Sequence, residues 1–141
     1  MRARGSLIVD AGPLYAAYDA DDSEHARCRR LLENHPGPVI VPILAVMEVA
    51  YLIGTRIGAE TEVRFLGDLA SGELVSEPVA ASDWIRMAEL VAAYSDLPLG
   101  TVDASLVAAA ERLGIDTVAT LDQRHFSVVR PGHTAAFVLL P

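Results

Sequence analysis

The chain has 141 residues, is 52% hydrophobic and carries a formal charge of −8 with a single cysteine. That length predicts one domain over residues 1–141 with a sizeable core, and the apolar fraction excludes a disordered chain. No apolar run is long enough to span a bilayer, the run after Arg2 and Arg4 is too short for a signal peptide, and Cys28 has no partner for an internal disulfide, so a cytoplasmic protein without membrane contact is expected.

Leu7-Ile8-Val9 reads as a short strand buried on both faces, ending on Asp10. Ala11-Gly12-Pro13 turns the chain into a short helix over Pro13–Asp19. Asp21-Asp22-Ser23 offers caps for a helix over Glu24–Asn34 with Leu31 and Leu32 inward, which Pro36-Gly37-Pro38 breaks. Val39-Ile40-Val41 is a second buried strand ended by Pro42. A helix over Ile43–Arg56 closes near Gly58, and another covers Ala59–Ala70 with Val63, Leu66 and Ala70 on one face. Leu74-Val75-Ser76 reads as a strand. Ser82-Asp83 is expected to cap a helix over Trp84–Tyr94 with Ile85, Ala88, Val91 and Ala92 inward. Thr101 is expected to cap Val102–Leu113, which Gly114 ends. Asp116–Thr120 is a third clear strand, and Phe126–Val129 and Ala136–Leu140 are candidates for closing strands. Strands alternating with helices predict a parallel sheet covered on both faces.

Four acids stand out by isolation. Asp10 is the only charged residue from Gly5 through Tyr18, at a strand's carboxyl end, where open α/β sheets bind ligands. Glu48 is the only charge from Pro36 through Thr55, amid Val, Met and Leu, where an unpaired buried carboxylate is costly. Asp103 is the only charge from Leu97 through Ala110, in the first turn of a helix. Asp122 follows the strand ending at Thr120. Each also has a plain structural reading: a turn or cap for Asp10 and Asp122, a stem reaching water for Glu48, a macrodipole contact for Asp103. Brought together, four carboxylates repel, and a divalent cation removes the conflict. With only oxygen ligands on offer the cation is hard, Mg²⁺ or Mn²⁺, and Zn²⁺ is disfavoured because His25, His35, His125 and His133 show no ligand spacing and read as surface or loop residues.

The charge of −8 opposes nucleic-acid binding unless a metal and local arginines offset it. All 11 basic residues are Arg. The absence of Lys excludes an ordinary P-loop and an ordinary phospho-accepting aspartate pocket. Arg27 and Arg30, one helical turn apart, and Arg124, just past Asp122, are the candidate phosphate contacts; an ordinary solvated face with i, i+3 and i+4 pairs is the alternative. Tyr15, Tyr18, Trp84 and Tyr94 are assigned to packing or interfaces before base stacking.

The order Asp10, Glu48, Asp103, Asp122, with Leu97-Pro-Leu-Gly-Thr-Val-Asp103-Ala-Ser-Leu and Ala119-Thr-Leu-Asp122-Gln-Arg-His-Phe126, resembles the PIN-domain ribonucleases. Within them it is similar to the VapC toxins of bacterial toxin–antitoxin pairs, over nearly the whole chain. The resemblance implies an α/β fold, a PIN-like three-layer αβα sandwich with a central mostly parallel sheet. It implies Mg²⁺- or Mn²⁺-dependent endonucleolytic cleavage of an RNA substrate, a homodimer and inhibition by a cognate antitoxin. Asp10 and Asp103 are expected to be the closest metal ligands, with Glu48 and Asp122 completing the catalytic set and Thr120 steadying it through a hydrogen bond. The alternative is a PIN-like scaffold that binds partners without cleaving.

Overall fold

The computed structural model describes residues 5–141, so Arg2 and Arg4 lie outside the described residues. Five strands are present: β1 (Leu7–Val9), β2 (Val39–Pro42), β3 (Val75–Glu77), β4 (Thr117–Ala119) and β5 (Val138–Leu140). They form one sheet in the order β3-β2-β1-β4-β5, with every neighbouring pair parallel. β1 is central and wholly buried, which is why its three residues are all aliphatic. The helices are α1 (Ala11–Tyr18), α2 (His25–Asn34), α3 (Ile43–Arg56), α4 (Ala59–Ser71), α5 (Ala81–Ala93), α6 (Thr101–Leu113) and α7 (Gln123–Val128).

The strand alternation sorts the core into two layers. Leu7 and Val9 of β1 pack with α1, Cys28 of α2, Val49 and Ile53 of α3 and Phe65 of α4. Ile8, between them in sequence, points the other way and packs with Met87 and Leu90 of α5, the apolar side of α6, and Phe126 and Phe137. The result is helix, sheet, helix. From β1 the chain winds outward through β2 and β3, then crosses back to build β4 and β5 on the other side. The direction reverses between β1 and β4, the switch point where such sheets leave a crevice beyond their carboxyl ends.

Several local expectations are corrected. Phe126–Val129 is not a strand: Phe126 lies in α7, because the Asp122 carboxylate caps the preceding backbone by accepting from His125 N–H (3.3 Å). The closing strand is only Val138–Leu140. In α4 the buried residues are Thr61 and Phe65, while Val63 and Leu66 face water. In α5 the buried set is Asp83, Met87 and Leu90, and Ile85, Ala88, Val91 and Ala92 are exposed. In α2 Cys28 is the fully buried residue, with Leu31 and Leu32 only half-buried. Neither Ser82 nor Thr101 is the N-cap residue, but Asp83 does cap α5 from the third helical position. α5 starts at Ala81 with Asp83 in its first turn, accepting from Ala80 N–H (2.9 Å), and α6 starts at Thr101 with Gly100 preceding it.

Ion pairs lock the far side of the sheet. Arg112 of α6 donates to Asp83 (2.9 Å) and Glu77 (2.8 Å), tying α6 to α5 and to the end of β3. Arg86 of α5 makes a fork on Glu111 of α6 (2.8 and 2.9 Å). None of the described helices is long and apolar enough to cross a membrane.

Candidate active site

Asp10 leaves β1 and becomes the N-cap of α1. Ala11 N–H donates to its Oδ1 (2.8 Å) and the Thr120 hydroxyl donates to its Oδ2 (3.0 Å). Thr120 is fully buried at the end of β4, and its oxygen also accepts from Asp122 N–H (2.9 Å). One hydroxyl therefore links the carboxyl ends of the two strands that flank the switch point. The main chain joins the neighbouring strands too: Asp10 N–H donates to Ala119 C=O across β1 and β4, and Thr120 N–H to Leu140 C=O across β4 and β5. Each Asp10 oxygen takes one of these bonds, and an ionised carboxylate has about four acceptor sites, so capacity remains toward the crevice.

The other acids reach this point from separate helices. Asp103 projects from the first turn of α6, part-buried. Asp122 caps α7 and is half-exposed. Glu48 lies on α3, and here the sequence reading is corrected. It sits on an exposed flank with Met47 and Tyr51, not within the core. Its isolation from other charges reflects an exposed apolar helix face, which sequence cannot distinguish from burial. Its charge nonetheless acts on Asp10.

The electrostatics follow from that convergence. Asp10 is pushed up to about 6, first by burial and then by the Asp103 carboxylate, with a smaller push from Glu48; the Ala11 N–H and Thr120 hydroxyl pull it back. Burial also raises Asp103, and Asp122 adds to the rise while His125 opposes it. These groups share an uncompensated negative field, and all four proposed donors are oxygens. That chemistry fits a hard divalent cation. Among the described residues no three His, Cys, Asp or Glu side chains are already gathered closely enough to hold an ion, so the fit is one of donor type and charge.

His125 corrects the reading of the four histidines as surface or loop residues. Its Nδ1 lies 2.7 Å from Asp122 Oδ2 and 3.6 Å from Asp103 Oδ2. That nitrogen is buried, and it makes a regular hydrogen bond to neither carboxylate. Its place three residues after Asp122, on a short helix that Asp122 caps, was the available signal. The candidate strand begins one residue later, at Phe126, and so gives His125 no direction toward the acids. Of the other three histidines, His25 ties the start of α2 to the Ala16 carbonyl of α1, and His35 and His133 tie loops to the Gly5 and Ile115 carbonyls.

The candidate phosphate contacts divide. Arg27 is paired with Glu24 (2.6 Å) one turn back on the same helix. Arg30 and Arg124 are exposed and form no ion pair among the described residues. Tyr15 and Tyr18 are buried, their hydroxyls donating to Asp19 and Asp68, while Trp84 is exposed on α5.

A family model described as "PIN domain" matches residues 7–130. The chain belongs to the PIN domain family. This PIN domain is 33% identical over 135 residues to Ribonuclease VapC26 of Mycobacterium tuberculosis, covering 96% of this chain and 100% of that protein. Among solved structures it is similar to M. tuberculosis VapC20, described as a sarcin–ricin loop cleaving toxin. The TM-score is 0.73 at 23% identity, over 79% of this chain and 86% of that one. It also resembles VapBC2 of Rickettsia felis bound to a promoter DNA fragment, with a TM-score of 0.67 at 14% identity over 96% and 97% of the two chains. FitAcB of Neisseria gonorrhoeae gives 0.59 at 16% identity over 96% of each. The expected three-layer PIN-like sandwich is thus the fold observed, with a sheet that is wholly parallel.

Proposed function

We propose that this PIN domain is a Mg²⁺- or Mn²⁺-dependent endoribonuclease that hydrolyses RNA phosphodiester bonds. It acts in the cytoplasm as the toxin of a toxin–antitoxin pair and is neutralised by its cognate antitoxin. The observation that carries this reading is Asp10, a buried carboxylate at the switch point whose charge is opposed by Asp103 and Glu48. The full-length similarity to Ribonuclease VapC26 supports the same conclusion.

Asp10 and Asp103 would hold the ion, with Glu48 and Asp122 completing the set directly or through water. When bound, the cation supplies a Lewis acid for a phosphate oxygen and lowers the pKa of an attacking water. The chain itself provides the fixed frame. Thr120 and Ala11 hold the Asp10 carboxylate in one orientation, so no ordering is needed when substrate arrives. Arg30 and Arg124 are free to meet phosphates, and Arg27 can do so after release from Glu24. The exposed apolar residues of α3, α4 and α5 are the surfaces on which a homodimer and the antitoxin would be buried.

The test is cleavage of structured RNAs by protein freed of any co-purified partner, with Mn²⁺ or EDTA, and with Asp10→Asn. Cleavage that needs Mn²⁺ and the Asp10 carboxylate is expected. Cleavage surviving both changes would sink the site assignment. Partner binding with no cleavage of any RNA would instead favour a scaffold.

A further inference from the structure

The side chain of His125 has two acceptors near it and a shared contact with both. Its Nδ1 stands 2.7 Å from Asp122 Oδ2 and 3.6 Å from Asp103 Oδ2, buried and without a regular hydrogen bond to either. A ring nitrogen facing two carboxylates carries its hydrogen, since both oxygens can only accept when ionised. We infer that His125 is a positioning residue: its Nδ1–H is a place-holder that keeps Asp103 and Asp122 side by side when no ion is bound, and a bound cation displaces that contact.

Three observations carry the step. Asp103 and Asp122 come from different elements, the start of α6 and the cap of α7, so nothing in the main chain forces them together. Like carboxylates repel, and the His125 ring nitrogen stands within 3.6 Å of both. Nδ1 is buried without a geometrically regular hydrogen bond, and the Asp122 and Asp103 carboxylates are the acceptors recorded beside it. A metal ligand would instead present a bare nitrogen, its other nitrogen oriented by an acceptor. The N–H here faces the acids, so His125 competes with the ion rather than binding it.

This inference rests on the proposed metal-dependent site, and its test separates the two. Three proteins are compared: wild type, His125→Phe, which keeps the ring and removes the donor, and His125→Asn, which keeps a donor near the Nδ1 position. Mn²⁺ affinity is read by titration calorimetry and stability by thermal melts in EDTA. The expected result is a His125→Phe protein that melts lower in EDTA yet binds Mn²⁺ about fivefold more tightly, because the competing polar contact is gone. His125→Asn should stay close to wild type in both. In EDTA, the His125→Phe effect should vanish in an Asp122→Asn background. Weaker Mn²⁺ binding by His125→Phe would make His125 a ligand and overturn the inference. Unchanged binding, or an EDTA effect independent of Asp122, would reduce it to packing and overturn it equally. Should wild type bind no Mn²⁺, the metal-dependent reading fails, and the EDTA cycle still decides the Asp122 contact. His125→Ala replaces the Phe variant if that protein does not fold.

Discussion

At the scale of single residues, Asp10 is costly to the ion-free protein. Its ordinary value of 3.8 is raised to about 6, mainly by burial and then by Asp103. Between those values the unfolded chain releases a proton that the folded one keeps, so stability falls as pH rises through the window and stays low above it. The shift of about two units corresponds to roughly 3 kcal/mol. Thermal melts in EDTA should therefore show declining stability from about pH 4 to about pH 6. Asp10→Asn should flatten that slope and melt higher at pH 7; an unchanged slope would assign the titration elsewhere. Thr120 acts in the opposite sense, since one hydroxyl serves both Asp10 and the Asp122 N–H. Thr120→Val keeps the shape and leaves a main-chain donor without a partner, a loss of about 1–3 kcal/mol by urea unfolding. Thr120→Ser, which retains the hydroxyl, should recover most of it.

At the scale of elements, the packing of α5 on α6 depends on an acid read as a helix cap. Asp83 is buried in the first turn of α5, and Arg112 neutralises it from α6. Removing the arginine strands that carboxylate, whereas the more exposed Arg86–Glu89 pair contributes little. Arg112→Met is expected to cost about 2 kcal/mol in urea unfolding, reduced from the fully buried case because Arg112 is partly solvated. Glu89→Ala should be nearly silent by the same measurement. The approach to β2 has a different constraint. A Cβ on Gly37 would lie 2.0 Å from the Gly5 carbonyl oxygen, beside the Leu7 N–H to Pro38 C=O bond that begins the β1–β2 pairing. Backbone cannot step aside as a side-chain tip can. Gly37→Ala should lower stability by about 1–3 kcal/mol and speed hydrogen exchange at Leu7.

At the scale of the whole molecule, the fold places acids from separate elements near enough that Asp103 and Glu48 act on Asp10, and Asp122 on Asp103, and the proposed cation would relieve that repulsion. An ion that binds only the folded state stabilises it by mass action, about 2.7 kcal/mol at a hundredfold excess over its Kd. Added Mn²⁺ should raise the melting temperature of the EDTA-treated protein, and Asp10→Asn should abolish most of that rise. A Mn²⁺ response retained in that variant would place the ion away from the switch point. The apolar surplus has a separate outlet. Met47 and Tyr51 on α3, Val63 and Leu66 on α4, and Trp84 and Ile85 on α5 face solvent. The hydrophobic content that suggested one large core is thus divided between two core layers and exposed helix faces.

The sequence alone was enough for β1, β2, α3 and the alternation that makes the sheet parallel, and it singled out the four acids on which the proposed site rests. These are written in contiguous residues: a β-branched run, a proline or glycine stop, a lone charge in an apolar stretch. What failed was the choice of buried face on α4 and α5, the burial of Glu48, the strand at Phe126 and the place of His125. Each depends on which neighbour a helix meets. On α5, Ile85 and Met87 are both apolar, and only the position of α6 and its Arg112 turns Met87 and Asp83 inward. Local sequence specifies where elements start and what they could bury. Their partners across the sheet decide what is buried, because the free energy of burial belongs to the contact between two surfaces and not to either one.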